Sequence, residues 1–129
     1  MNTVLQEYIK AQILPQYESF DKAHGPEHVQ SVIQNSMELA APFGVDMDMV
    51  YTIAAFHDLG IRFGRENHEK TSAALFMADE AVKRWFTDEQ RQIMKEAIED
   101  HRASSAREPR SLYGRIVSEA DRDIDPERI

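Results

Sequence analysis

The sequence predicts an all-α fold: a single compact domain of about six helices over residues 1–129. Three observations predict it. Apolar residues recur at three- and four-residue spacing along nearly the whole chain, the period of a helix with one buried face. No run of β-branched residues alternates with polar ones, so strand signals are missing. The five glycines and five prolines fall mostly between the periodic segments, where helices end. A chain of 129 residues is long enough to bury one real core without staples.

The first helix is expected over about 2–14, with Val4, Tyr8, Ala11 and Leu14 on one face, and Pro15 interrupting or re-aiming it. The second runs from about 26 to 41. Pro26 suits its first turn, Val29, Val32, Ile33, Ser36, Met37 and Ala40 form its stripe, and Pro42 and Gly44 end it. A third, from about Asp46 to Asp58, is apolar on more than one side and is therefore expected at the centre, with Gly60 as its stop signal. The fourth starts near Asn67. The fifth lies in "TDEQRQIMKEAIEDHR", where Thr87 and Gln90 have the spacing of a capping box. The sixth lies in "EPRSLYGRIVSEADRDI", with Leu112, Ile116 and Val117 facing in.

Composition narrows the functional classes. There is no cysteine, so disulfides and thiolate metal sites are excluded. The net charge of −8, from 23 acidic and 15 basic residues, repels nucleic acid polymers and acidic membranes in bulk. It leaves room for a small phosphate ligand at a local basic pocket or a metal. No apolar run approaches ~18 residues, so no transmembrane helix is expected. The N-terminus lacks a basic start followed by an apolar block, which argues against a signal peptide and makes a cytoplasmic location the default. No glycine-rich phosphate loop is present, which argues against ATP-driven chemistry.

The stretch "AAFHDLG", residues 54–60, poses the functional question. His57 and Asp58 sit inside an apolar run, where ionisable groups are costly unless something binds them. The other histidines also fall near predicted helix ends. His24 and His28 are four apart, with His24 in the turn before the second helix. His68 opens the fourth helix, and His101, preceded by Asp100, closes the fifth. Asp121 and Asp123 lie late in the sixth. Helix ends can gather at one end of a bundle. Imidazole and carboxylate are the ligands expected for a divalent cation when thiolates are absent. Such an ion lowers the pKa of a bound water and yields a nucleophile near neutral pH.

The ordered set of His28, then His57-Asp58, then Asp121, each on its own predicted helix, resembles the HD superfamily of metal-dependent phosphohydrolases. The resemblance runs from "DKAHGPEHVQSV" through "AAFHDLG" to "SEADRD", and the "HG" of "AHGPEH" is also seen in small bacterial members. It implies an HD-domain-like helical fold in which His28, His57, Asp58 and Asp121 bind one divalent metal (Mn, Mg, Co, Ni, Fe or Zn). Some subfamilies carry two further histidines, matched here in order by His68 of "NHEKTSA" and His101 of "EDHRASS". These are expected to line the site, holding a second metal with Asp58 as the bridge or contacting substrate phosphate.

The implied reaction is hydrolysis of a phosphomonoester or phosphodiester, a nucleotide or related metabolite, by metal-activated water. Asp58, His68, His101 and Arg102 are the expected catalytic set. Arg62, Arg65 and Lys22 are further candidate phosphate contacts. Glu66 and Glu69 are candidates for a general base or for orienting a ligand histidine. Two alternatives stay open: a catalytically silent nucleotide-binding or sensor domain, and a diiron oxygenase-like protein using the same six residues. Homodimers are common among small helical domains of this kind. The end at "DPERI" fits either a trimmed chain or a short family member.

Overall fold

Short polar side chains open three of the helices. Asn2 Oδ1 accepts from the Val4 and Leu5 amides at 2.9 and 3.1 Å. Asp46 Oδ1 accepts from the Asp48 and Met49 amides at 3.0 and 3.3 Å. Thr87 and Gln90 form the expected reciprocal box, at 3.1 and 2.9 Å. Each pair of bonds satisfies amides that a helix start otherwise leaves bare. The computed structural model describes residues 1–102 and 108–123, and holds six α-helices and no strand among them. These are α1 (Thr3–Tyr8), α2 (Pro26–Ala40), α3 (Met47–Phe56), α4 (His68–Ala78), α5 (Asp88–Glu99) and α6 (Leu112–Asp123). The terminal "DPERI" lies outside the described residues.

α3 is central, as expected: every residue from Met49 to Phe56 is buried. It packs on α2 and α5 and touches α4 and α6, while α2 lies along α6 and α4 along α5. Its end differs from the expectation. The helix stops at Phe56, so His57 and Asp58 form the turn beyond it rather than its last turn. Gly60 is no left-handed stop. It lies in a 3₁₀ turn, Leu59–Phe63, that presses on α4, and a Cβ there would sit 2.6 Å from both His68 O and Ser72 N. The glycine is required by close approach. Its amide donates to Ser72 Oγ at 2.8 Å.

The N-terminal segment corrects the sequence reading most. Val4 and Ala11 are exposed, and the buried row is Leu5, Ile9, Ile13 and Tyr17. A spacing of four overshoots the 3.6-residue turn. The chain absorbs the difference by widening to a π-helix over Ile9–Ile13, closed by a bond from the Leu14 amide to Ile9 O. A 3₁₀ stretch, Leu14–Ser19, follows, and Pro15 sits at its start, where a missing amide costs nothing. Leu112 is a smaller correction. It opens α6 half-exposed, while Ile116 and Val117 face the core as expected.

Candidate metal centre

The histidine and aspartate side chains come together where several helix ends meet. His28 leaves the first turn of α2 and Asp121 the last turn of α6. His57 and Asp58 follow α3, His68 begins α4, and His101 lies just past α5. The α5 end is tied down by Asp100. Its carboxylate accepts from the Arg110 amide at 2.8 Å and from that guanidinium at 2.9 and 3.0 Å, joining the end of α5 to the approach to α6.

Two groups of ligand atoms result, each with its atoms within 4.8 Å of one another: His28, His57, Asp58 and Asp121, and then Asp58, His68 and His101. Asp58 belongs to both and divides its oxygens between them. Its Oδ2 lies 3.3 Å from His28 Nε2 and 3.2 Å from His57 Nε2. Its Oδ1 lies 3.1 Å from His68 Nε2 and 3.3 Å from His101 Nε2. Asp121 Oδ1 closes the first group, 3.1 Å from His28 Nε2 and 3.5 Å from His57 Nε2.

The backbone decides which imidazole nitrogen faces inward. Nδ1 of His57 lies 2.6 Å from Ala54 O, that of His68 3.1 Å from Arg65 O, and that of His101 2.6 Å from Ile98 O. A carbonyl oxygen only accepts, so each Nδ1 carries the proton and donates. A neutral ring then turns a bare Nε2 lone pair toward the carboxylates. Lone pairs facing lone pairs at these distances repel unless a proton or a cation lies between them. His57 sharpens the point: its Nε2 is fully buried and makes no aligned hydrogen bond, although two carboxylates stand nearby. Nitrogen and oxygen donors, an orphaned inward Nε2 and Nδ1–H groups held by carbonyls fit a divalent metal.

Protonation follows the same logic. Burial lowers the His57 pKa, but the charge of Asp58 and then Asp121 outweighs it and drives it well above its ordinary value. His28 and His68 are also raised against the opposing effect of burial, the first by Asp121 and Asp58, the second by Asp58. Burial likewise opposes ionisation of Asp58 and Asp121, and the imidazoles still hold both below the usual carboxylate range. A metal-free centre therefore collects protons where a metal-loaded one holds cations.

Residues 26–123 match the HD domain family. The chain belongs to that family. A crystal structure of a predicted HD superfamily hydrolase from an uncultured Thermotogales bacterium is similar over 95% of this chain and 73% of that one, at 24% identity and a TM-score of 0.76. That likeness places the all-α fold among HD domains. No curated protein matches the chain. The family is one of metal-dependent hydrolases, and the two ligand groups are where this HD domain could hold its metal.

Two of the remaining candidates adjoin these groups: Arg102 follows His101, and the Arg65 carbonyl accepts from His68. Arg102 is partly exposed and pairs with Glu69 at 3.4 Å. Arg62 donates to Gln16 at 2.8 Å, and Arg65 pairs with Asp21. Lys22 and Glu66 are exposed. His24 ends a short 3₁₀ turn, its Nδ1 2.8 Å from Asp21 Oδ1 and its ring centre 6.1 Å from that of His28 and 6.2 Å from that of His68. Its pairing with Asp21 was not evident from sequence, although the i, i+4 spacing to His28 was a signal of nearness. The buried Tyr17 and the close-packed Gly60 carried no such signal: a tyrosine in an apolar row reads as core, and a glycine after a helix reads as a stop.

Proposed function

We propose that this HD domain is a phosphohydrolase that cleaves a phosphomonoester or phosphodiester of a nucleotide or related small metabolite. The observation that carries this reading is the sharing of Asp58 between two ligand groups, with the Nε2 atoms of His57 and of His68 turned toward its two oxygens. His28, His57, Asp58 and Asp121 would hold one divalent ion, and Asp58, His68 and His101 a second. Bound there, such ions supply Lewis acidity toward water and phosphoryl oxygens.

The chain's own residues do the rest. Carbonyl-held Nδ1 protons fix the His57, His68 and His101 rings, so their Nε2 atoms need little reorganisation. Asp58 and Asp121 supply two negative charges against the ions. Arg102, released from Glu69, offers a guanidinium to the phosphoryl oxygens or the leaving oxygen. A nucleotide-scale ligand suits the acidic chain better than a nucleic acid polymer, because attraction at the centre is local while the surface field is repulsive.

The test pairs metal analysis of protein purified without added metal with a phosphatase screen over nucleotides and an aryl phosphate, with Mn, Mg, Co or Ni supplied. Bound metal with phosphate release supports the reading. No metal and no release under any supplement would sink it. The same six residues favour one second reading, a diiron oxygenase-like protein. Two irons per chain with no phosphate release would replace the first reading by that one.

A further inference from the structure

The site has a support that lies ahead of the family match. Tyr17 sits in the N-terminal segment, outside residues 26–123, and is fully buried. Its hydroxyl donates to Ala55 O at 2.6 Å and accepts from the Asp58 amide at 3.3 Å. Both partners lie where α3 gives out. Ala55 O is among the last carbonyls of a helix that does not continue far enough to satisfy them with its own amides. Asp58 has left helical geometry, at φ −113° and ψ 9°, in the sparsely allowed bridge region. Its peptide is gripped on both sides: the hydroxyl takes its N–H, and its carbonyl accepts from the Ile61 amide at 3.0 Å.

A phenylalanine would fill the same volume and complete the same apolar row of Leu5, Ile9 and Ile13. The hydroxyl is therefore not needed for packing. It satisfies two buried backbone groups at the residue whose carboxylate is shared by both ligand groups. Two such groups left bare shift to find partners, and the carboxylate moves with its backbone. We infer that Tyr17 is a positioning residue for the metal centre: its hydroxyl sets the Asp58 backbone so that Oδ1 and Oδ2 reach separate ligand groups at once. This rests on the reading of those groups as metal ligands.

The experiment titrates Mn²⁺ and Co²⁺ into metal-free wild-type protein, Tyr17→Phe and Leu5→Ala by calorimetry, and records the visible spectrum of each Co²⁺ complex. Leu5 is buried in the same segment and touches no ligand residue by hydrogen bond, so it reports generic destabilisation. Tyr17→Phe is expected to bind about tenfold or more weakly, the usual cost of losing a support behind a ligand, with an altered Co²⁺ spectrum. Leu5→Ala is expected to melt earlier yet keep wild-type affinity and spectrum. Should Tyr17→Phe fold only in part, the titration is repeated in trimethylamine N-oxide, which favours the compact state. Wild-type affinity and spectrum in Tyr17→Phe would overturn the inference, as would an equal loss in Leu5→Ala. If wild-type protein itself bound neither ion, the metal reading would fall first and the inference with it.

Discussion

Asp58 gives one oxygen to His28 and His57 and the other to His68 and His101, and this division can be tested one residue at a time. Asp58→Ala should abolish binding at both groups. His68→Ala should remove one ion and leave the other with His28, His57 and Asp121. Ion counts per chain by mass spectrometry, with helicity checked by circular dichroism, separate the two outcomes. Equal loss in both variants would mean one site, not two. Protons compete for the same atoms. His28, His57 and His68 have raised pKa values in the metal-free protein, so their protonation adds stability that is complete below about pH 6.5 and lost as pH rises through the raised values. Asp58 and Asp121 are lowered, so they add stability above about pH 4 that is lost as pH falls through the lowered values. Metal-free protein should therefore melt highest at mildly acidic pH and lower toward pH 9, while Mn²⁺ affinity climbs over the same range. A melting temperature flat from pH 5 to 9 in chelator would contradict this.

Among the elements, the turn at Leu59–Phe63 matters most, because it holds Asp58 against α4 and thereby against His68. Gly60→Ala would drive a Cβ into two backbone atoms that have no side-chain freedom to yield. The expected cost is about 3 kcal/mol, at the upper end for overpacking, together with weaker metal binding. Thr87→Ala removes a cap at the far end of α5 and should cost about 1 kcal/mol with metal affinity unchanged. Denaturant melts and metal titrations of the pair distinguish damage to the centre from damage to a helix. The elements also show what could be read in advance. Thr87 with Gln90, Pro26 and the apolar run 49–56 act through neighbours within a turn or two, and their helices are found at the expected places, with α3 stopping two residues short of the expected Asp58. The four candidates named by family order, His28, His57, Asp58 and Asp121, could be picked out for the same reason, since each sits at or just past a helix end with a recognisable sequence setting, and the structure brings them into one group. Tyr17 acts on residues 38 and 41 positions away, and Gly60 on residues up to 12 away, through contacts that no local period encodes. Val4 and Ala11 misled because a strict 3.6-residue template was laid on a segment that winds more widely.

At the scale of the whole molecule, the centre joins parts of the chain that are far apart in sequence, from His28 to Asp121. Ions held there would bind only the folded state and so would act as a tie across the domain. At a free concentration ~100 times the dissociation constant, one ion adds about 2.7 kcal/mol. For a domain of this size that is roughly a 10 °C rise in melting temperature. Thermal melts in chelator and in excess Mn²⁺ should differ by at least that amount, and the difference should vanish in Asp58→Ala. An unchanged melt would show that the ligand groups do not bind ions tightly enough to matter to the fold.

The widened turn at Ile9–Ile13 amounts to one surplus residue in an otherwise ordinary helix. Removing the exposed Ala11 would bring Leu5, Ile9, Ile13 and Tyr17 to successive offsets of four, three and four, which a regular α-helix stacks on one side. The shortened chain should fold and keep its apolar row. Its phenol, however, would be drawn back by about 1.5 Å, one residue's rise, out of reach of the Asp58 amide. The first helix thus works as a measured spacer. A single-codon deletion there should cost about 1–3 kcal/mol for each buried backbone group left bare and weaken metal binding as well, so a denaturant melt and a metal titration together should catch it.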